Sequence, residues 1–507
     1  MYVALDFIGN DKNSQGDEVV KVLLFAAYVT FFFLNMGANQ ANADRLEMIS
    51  IAPDETSSDP GVMYATRKYL FFTAAPTGAR DALYRTDGTE GGTIALTNPS
   101  TVFISKGAPM IEYNDVLLFQ GAVNYLSGYE LCKTDGTIAG TVRIKNINTS
   151  PDPINPPYER GSYPASFAIF NNFAYFMATI TDNVGDSYRE LFRTDGTEEG
   201  TTKITDLRGL PGNFRQPYIT GLNYFILFAS SSYTGEYDGE LYQHAPFPGL
   251  PYAMVKNIRP GPEPSSPSNL ITMDGWTYFN ADDGVHGREL WKTNGTEAGT
   301  QMIKDITPGP DGTSFGEVII YDNLLFFTVN ENDELWRTDG TEGTPGYKDG
   351  TYRIAKTAPD YTNSDIQDLT IHDGFLYFSA YDGGIQELWR TDGTAEGTER
   401  LTSNYLVGIG TDPKDITSCN GRLFFSGVIS SMLGRQLLEY NSSEGIIDLF
   451  IGIHRFRDFD PIRLTSFKNN LFFSADNGID GRELWVLTMP KQNSSLPGLL
   501  MLLLGDE

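Results

Sequence analysis

Along this chain, short apolar runs alternate with polar turns at a spacing of about fifty residues. Each period contains an apolar pair ending in phenylalanine: Phe71-Phe72, Leu118-Phe119, Tyr175-Phe176, Leu227-Phe228, Tyr278-Phe279, Phe326-Phe327, Tyr377-Phe378, Phe424-Phe425 and Phe472-Phe473. Recurrence at such a period signals a repeat architecture of nine units. Run length, β-branched and aromatic content and turn punctuation divide each unit into four strands, A to D. In the fifth unit these are Ser268–Thr272, Trp276–Ala281, Glu289–Thr293 and Met302–Ile306. Asp-Gly or Asn-Gly between strands A and B, as in Met273-Asp274-Gly275, supplies the positive φ angles of a tight hairpin. No segment after the first 43 residues carries a convincing helical period.

A twelve-residue phrase follows each apolar pair. It reads ELWKTNGTEAGT at Glu289–Thr300, ELWRTDGTAEGT at Glu387–Thr398, ELFRTDGTEEGT at Glu190–Thr201, ELCKTDGTIAGT at Glu130–Thr141 and ALYRTDGTEGGT at Ala82–Thr93. Alternation along a strand places Leu290 and Lys292 on one face and Glu289, Trp291 and Thr293 on the other. The aromatics, among them Trp291, Trp336 and Trp389, are expected to fill the space between neighbouring units. The charged positions recur in nearly every unit, which favours a joint over a site. We expect Glu289, Glu334 and Glu387 to pair with Lys292, Arg337 and Arg390 across units, because a buried unpaired charge is costly. In the Asp-Gly-Thr turn, aspartate caps its own turn and glycine takes the left-handed position.

Four-stranded units of this length point to an all-β fold, a single closed β-propeller with kelch-like spacing. Nine repeat units imply nine blades, with eight blades and one divergent unit as the alternative. The ends of the array are complementary. Leu46–Ile51 is a D-type strand without its own A, B and C, and Asp460–Thr488 supplies A, B and C without a D. The N-terminal strand is therefore expected to complete the last blade and remove an exposed edge.

The phrases resemble the ELWxxDGTxxGT-repeat family of secreted or surface bacterial proteins, over Leu46 to Thr488. The resemblance implies secretion and a propeller-like scaffold, and no particular reaction.

The propeller is assigned to 44–489. Residues 1–43 read as a signal peptide with a spurious N-terminal extension: Val22–Leu34 is apolar, Lys21 precedes it and Ala41-Asn42-Ala43 follows. Residues 490–507 form a short apolar tail, too short to span a bilayer. The expectation is a secreted or cell-surface protein, cleaved near Ala43, with no membrane span in the mature chain. A formal charge of −28 excludes nucleic acid as a natural partner. Cys132 and Cys419 lie in remote units, so no disulfide is expected.

Candidate chemistry is sparse. Asp282, Asp283, Asp476 and Asp480 have calcium-like oxygen chemistry without the spacing of a complete loop; no other cofactor is suggested. Gly312-Thr313-Ser314-Phe315-Gly316 matches G-x-S-x-G but lacks the strand-turn-helix elbow on which that motif works. The four histidines share no metal-ligand spacing. The long loops joining B to C and D to A carry Tyr158, Tyr163, Tyr233 and Tyr237, suited to stacking on a sugar or a protein. The expected function is a binding or structural scaffold engaging a glycan or protein through that loop face, more in keeping with this chain than an enzyme. The alternatives are a polysaccharide-acting enzyme with funnel carboxylates, or a self-assembling surface-layer component.

Overall fold

The computed structural model describes residues 44–490 except 52–56, 77–80, 98–102, 123–126, 152–158, 183, 206–218, 230–238, 246–251, 344–349, 359–362, 383, 385, 403–410, 429–433, 444 and 449–458. The expected leader, nearly all of the apolar tail, and Tyr158, Tyr233 and Tyr237 lie outside the described residues. The chain divides into two units: Glu47–Val486, which contains the blades, and Met1–Leu46 with Leu487–Glu507, described only at 44–46 and 487–490.

Every named element is a strand, and the strands form nine antiparallel sheets. Blade 5 shows the pattern, with strands A to D at Ser268–Met273, Trp276–Asp282, Arg288–Thr293 and Gln301–Lys304. In blade 2 an extra strand, Phe103–Ile104, also pairs with strand B. In blade 9 the order is Ile462–Phe467, Asn470–Asp476, Arg482–Thr488 and then Arg45–Ile49 from the start of the array. The propeller therefore has nine blades rather than eight. Its N-terminal strand completes the last one.

Both faces of a blade are apolar because each packs on a neighbour. The two residues of the apolar pair point opposite ways, as strand geometry requires. Phe279, with Ala281 and Trp291, packs on Leu227, Leu241 and Val255 of blade 4. Tyr278, with Leu290 and Ile303, packs on Leu325, Phe327 and Val329 of blade 6. Each large side chain so buried contributes roughly 1.5–3 kcal/mol. The second aromatic of the pair faces the aromatic of the phrase directly across strands B and C, as Phe279 faces Trp291 and Phe378 faces Trp389. Four such pairs stack nearly parallel: Phe72–Tyr84, Phe176–Phe192, Phe228–Tyr242 and Phe378–Trp389.

The phrase glutamate does not pair with the phrase cation. It is buried and accepts hydrogen bonds from the loop that carries the chain from strand D of its own blade to strand A of the next. Glu289 accepts Ile306 N at 2.8 Å, Thr307 N at 3.2 Å and Thr313 Oγ1 at 2.9 Å. Glu130 accepts Ile147 N, Asn148 N, Ser162 N and Ser162 Oγ. Glu240 and Glu387 hold the same loop in their blades. Because Ile306 N is held by Glu289, strand D of blade 5 ends at Lys304 rather than at Ile306. Blade 6 departs from the rule. There Glu334 binds Trp336 Nε1 and Arg353, and the preceding Asp333 accepts Ser364 N at 2.8 Å instead.

The cations make the reciprocal contact. Lys292 Nζ lies 4.4 Å over the Trp276 ring of its own blade and donates to Gly340 O of the next at 2.8 Å. Lys133 donates to Gly196 O at 2.7 Å, and Arg85 to Gly136 O. Arg337 lies over Tyr352, and Arg390 lies over Phe375 while pairing with Glu399 in its own blade. The expectation of pairs between phrase glutamate and phrase cation is thus corrected: Glu289 and Glu387 hold the crossing loop, Lys292 donates to a backbone carbonyl of the next blade, and the charge pairs of Glu334 and Arg390 are with Arg353 and Glu399.

The turn follows its chemistry. Asp135 Oδ1 accepts Thr137 N and Thr137 Oγ1, and Thr134 Oγ1 lies 2.7 Å from Thr141 Oγ1. Gly136 has φ 88°. Gly140 is required for a different reason: a Cβ there would stand 2.1 Å from Asp135 Oδ1. The Thr137 hydroxyl holds the Asp135 carboxyl below its usual range. Asn294 makes the same bonds through its amide oxygen, so the turn needs an acceptor rather than a charge.

The ring closes through the same device. Glu483 accepts Ile51 N at 3.0 Å, Ser58 N at 3.1 Å and Ser58 Oγ at 2.7 Å. Glu483→Ala would leave these buried donors without their acceptor and should cost about 2–4 kcal/mol. Glu483→Gln, which keeps one amide oxygen, should cost less. Urea midpoints of the two variants check this; an alanine variant as stable as wild type would contradict the closure role.

Candidate functional site

Strands A of successive blades lie side by side, with strand A of blade 9 against strand A of blade 1, Met63–Ala65. They form the axial wall. The A strands of blades 3, 5, 7, 8 and 9 carry a bulge at one register position, between Ala165 and Ala168, Ser268 and Ile271, Gln367 and Thr370, Lys414 and Thr417, and Ile462 and Thr465. In blade 6 it is displaced by one residue, between Phe315 and Val318. A bulge leaves one residue out of the ladder and re-aims its side chain. In blades 6 to 9 the residues there are Glu317, Asp368, Asp415 and Arg463. The last three have φ of 59°, 55° and 61°. That region is uncommon for residues other than glycine and is tolerated better by aspartate than by arginine.

These four residues form a ladder around the axis. Glu317 accepts Asp368 N at 3.1 Å and Leu369 N at 3.0 Å. Asp368 Oδ2 accepts Asp415 N at 2.9 Å. Asp415 Oδ2 accepts Arg463 N at 2.7 Å. Each carboxylate thus holds the bulge of the following blade, and the run of acids ends on a cation. Burial, then the charges of Asp415 and Glu317, push the Asp368 carboxyl up to about 6. Burial also pushes Asp415 up, against the bond from Arg463 N and the charges of Arg463, Arg435 and Lys414. A carboxylate held weakly acidic beside two others is a group poised to meet a proton or a cation.

The residues singled out by sequence fall elsewhere. Asp282 pairs with Arg259, and Asp283 accepts Val285 N and His286 N. Asp476 accepts Gly478 N, and Asp480 accepts Asn477 Nδ2. All four shape the B–C loops of blades 5 and 9. Among the described residues no group of three or more histidine, cysteine or acidic side chains is arranged to hold a metal. Tyr163 is 46% exposed, with its ring centroid 6.0 Å from that of Tyr129. Ser314 accepts Glu331 N just before strand A of blade 6, with no helix behind it. His372 Nδ1 lies 2.9 Å from Ser418 Oγ between strands A of blades 7 and 8, where burial lowers the imidazole's basicity. That pair joins two blades.

The ladder was not foreseen. Its signal is a polar residue at a fixed distance before the apolar pair in units 3 and 5 to 9, acidic in three consecutive units: Glu317, Asp368 and Asp415. Nothing in the local pattern of one unit marks that position as a bulge.

No family model and no curated protein sequence matches the chain. Solved structures similar to it include a prolyl endopeptidase (12% identity, TM-score 0.44, 83% of this chain and 54% of that one). Others are a puromycin hydrolase (12%, 0.41, 83% and 59%) and oligopeptidase B from Leishmania major (8%, 0.38, 83% and 53%). The chain spans little more than half the length of each. These names run against the expected scaffold engaging a glycan or protein and its polysaccharide-enzyme and surface-layer alternatives, which are corrected to that extent, while the likeness itself shows the fold alone.

Asp368 yields a pH prediction. A carboxyl that is less acidic folded than unfolded favours the fold while protonated. Its contribution is complete below about pH 4 and is lost as pH rises through 6, amounting to about 3 kcal/mol. Asp368→Asn, which keeps an acceptor for Asp415 N, should match wild type near pH 3.5 and exceed it at pH 7.5. Denaturant midpoints across that range check the effect, and parallel curves for the two proteins would contradict it.

Proposed function

We propose that the protein handles peptides at the axis of its propeller, and that the ladder of Glu317, Asp368 and Asp415 receives a cationic group of the peptide. That group would be an arginine or lysine side chain or a free amino terminus. What carries the reading is three carboxylates placed on consecutive innermost strands at one register position. The bonds to the next bulge engage Oδ2 of Asp368 and of Asp415. The second oxygen of each can accept a charge-assisted bond, which is stronger than a neutral one. The net charge of −28 would also draw cationic ligands toward the molecule.

Peptides are the class of molecule named for the prolyl endopeptidase and oligopeptidase B among the similar proteins; the choice of a cationic group rests on the ladder. The ladder itself is a binding feature. Cleavage of a peptide bond needs a nucleophile with a base in hydrogen-bond reach and donors for the oxyanion. Neither Ser314 nor the Ser418–His372 pair supplies that set among the described residues.

Isothermal titration with a hexapeptide carrying two arginines and its glutamine counterpart tests the reading. Wild type should bind the arginine peptide at least roughly tenfold more tightly at pH 7.5 and low salt. The preference should weaken as pH falls through 6 and Asp368 gains its proton. Asp368→Asn/Asp415→Asn should abolish the preference while leaving the glutamine peptide unaffected. Equal binding of the two peptides by wild type would overturn it.

A further inference from the structure

In blades 6 to 9 the N–H at this position has two acceptors within the architecture, and the blades differ in which one they use. In blade 6, Glu317 N donates at 2.9 Å to Thr328 Oγ1, the hydroxyl on strand B of the same blade. That hydroxyl lies directly beneath the bulge: a Cβ on Gly316 would stand 2.4 Å from Thr328 Oγ1. In blades 7, 8 and 9 the equivalent strand B residues are Ser379, Ser426 and Ser474. They are register partners of Gln367, Lys414 and Ile462, the residues immediately before Asp368, Asp415 and Arg463. There the bulge N–H turns instead to the carboxylate of the preceding blade. Ser379, Ser426 and Ser474 are 1%, 0% and 0% exposed, and their hydroxyls have no hydrogen-bond partner.

A buried hydroxyl without a partner costs about 1–3 kcal/mol. Thr73 Oγ1, at the same strand B position of blade 1, is also without a partner, but only Ser379, Ser426 and Ser474 stand beside bulges whose N–H groups have turned away, and there carboxylate and hydroxyl compete for a single donor. We propose that Ser379, Ser426 and Ser474 are reserve acceptors, positioning residues that take the bulge N–H when the carboxylate of the preceding blade turns to a cationic ligand. The role rests on the reading of the ladder as a cation site. With the reserve in place, Glu317, Asp368 and Asp415 can each exchange a backbone donor for a ligand without leaving a buried N–H orphaned. Blade 6 displays the alternative state, since its hydroxyl already holds the N–H.

The handover itself can be tested without ligand. Hydrogen exchange at the Asp415 amide, read at single-residue resolution in the full chain, reports whether that N–H keeps an acceptor. Asp368→Ala should raise the exchange rate less than about threefold, because Ser426 takes the donor. Ser426→Ala should do no more, because Asp368 still holds it. The double variant should raise the rate by roughly 30-fold, well beyond the product of the two. An effect of Asp368→Ala as large as that of the double variant, or strictly additive effects, would overturn the proposal. If Asp368→Ala does not fold, the cycle of Asp415→Ala and Ser474→Ala read at the Arg463 amide decides the same question. The peptide titration above separates the two ideas: coupled exchange without arginine preference would remove the ligand and leave the handover.

Discussion

The buried glutamate of the repeat phrase is the contact on which the rest of the propeller depends. To pass from the outermost strand of one blade to the innermost strand of the next, the chain must leave one ladder before it joins another. The backbone donors of that crossing are buried, and a buried N–H without an acceptor is costly. A carboxylate, with two oxygens and several lone pairs, can accept several of them at once. Glu289 does this for Ile306, Thr307 and Thr313, and Glu483 does it for Ile51 and Ser58, where the last blade meets the first. Ring closure is therefore one more instance of the joint between any two blades.

The axial ladder applies the same chemistry to a different end. Glu317, Asp368 and Asp415 also give carboxylate oxygens to backbone N–H groups of the following blade, yet at partly exposed positions on the innermost strands. Complete burial and several donors commit the phrase glutamate to structure. One donor per aspartate, a neighbouring acid and a hydroxyl beneath the bulge leave the ladder able to change partners. The difference lies in the number of donors each carboxylate meets and in how far water is kept away.

Several features were legible from residue types alone because their causes are local. The opposite directions of Tyr278 and Phe279 follow from strand alternation, and the positive φ at Asp274-Gly275 follows from hairpin geometry. The capping role of Asp135 and Asn294 follows from side-chain reach within one turn. The partners of Glu289 and Lys292 were misread because they lie in the crossing loop and in the next blade. Sequence suggested the nearest opposite charge, and the fold offered better-placed backbone groups. The bulge at Asp368 was not legible, since one extra residue in a strand leaves no mark in the alternation of so short a run.

By itself, the sequence determined the nine units, the two apolar faces of each blade, the turn chemistry and the complementary ends of the array. These depend on periodicity and on contacts a few residues apart. Only the tertiary structure decided that the glutamates grip the crossing loops, and that Glu317, Asp368, Asp415 and Arg463 stand in one line. The physical reason is that residues about fifty positions apart meet only when blades close around an axis, and burial and hydrogen-bond supply at that axis are properties of the assembled ring.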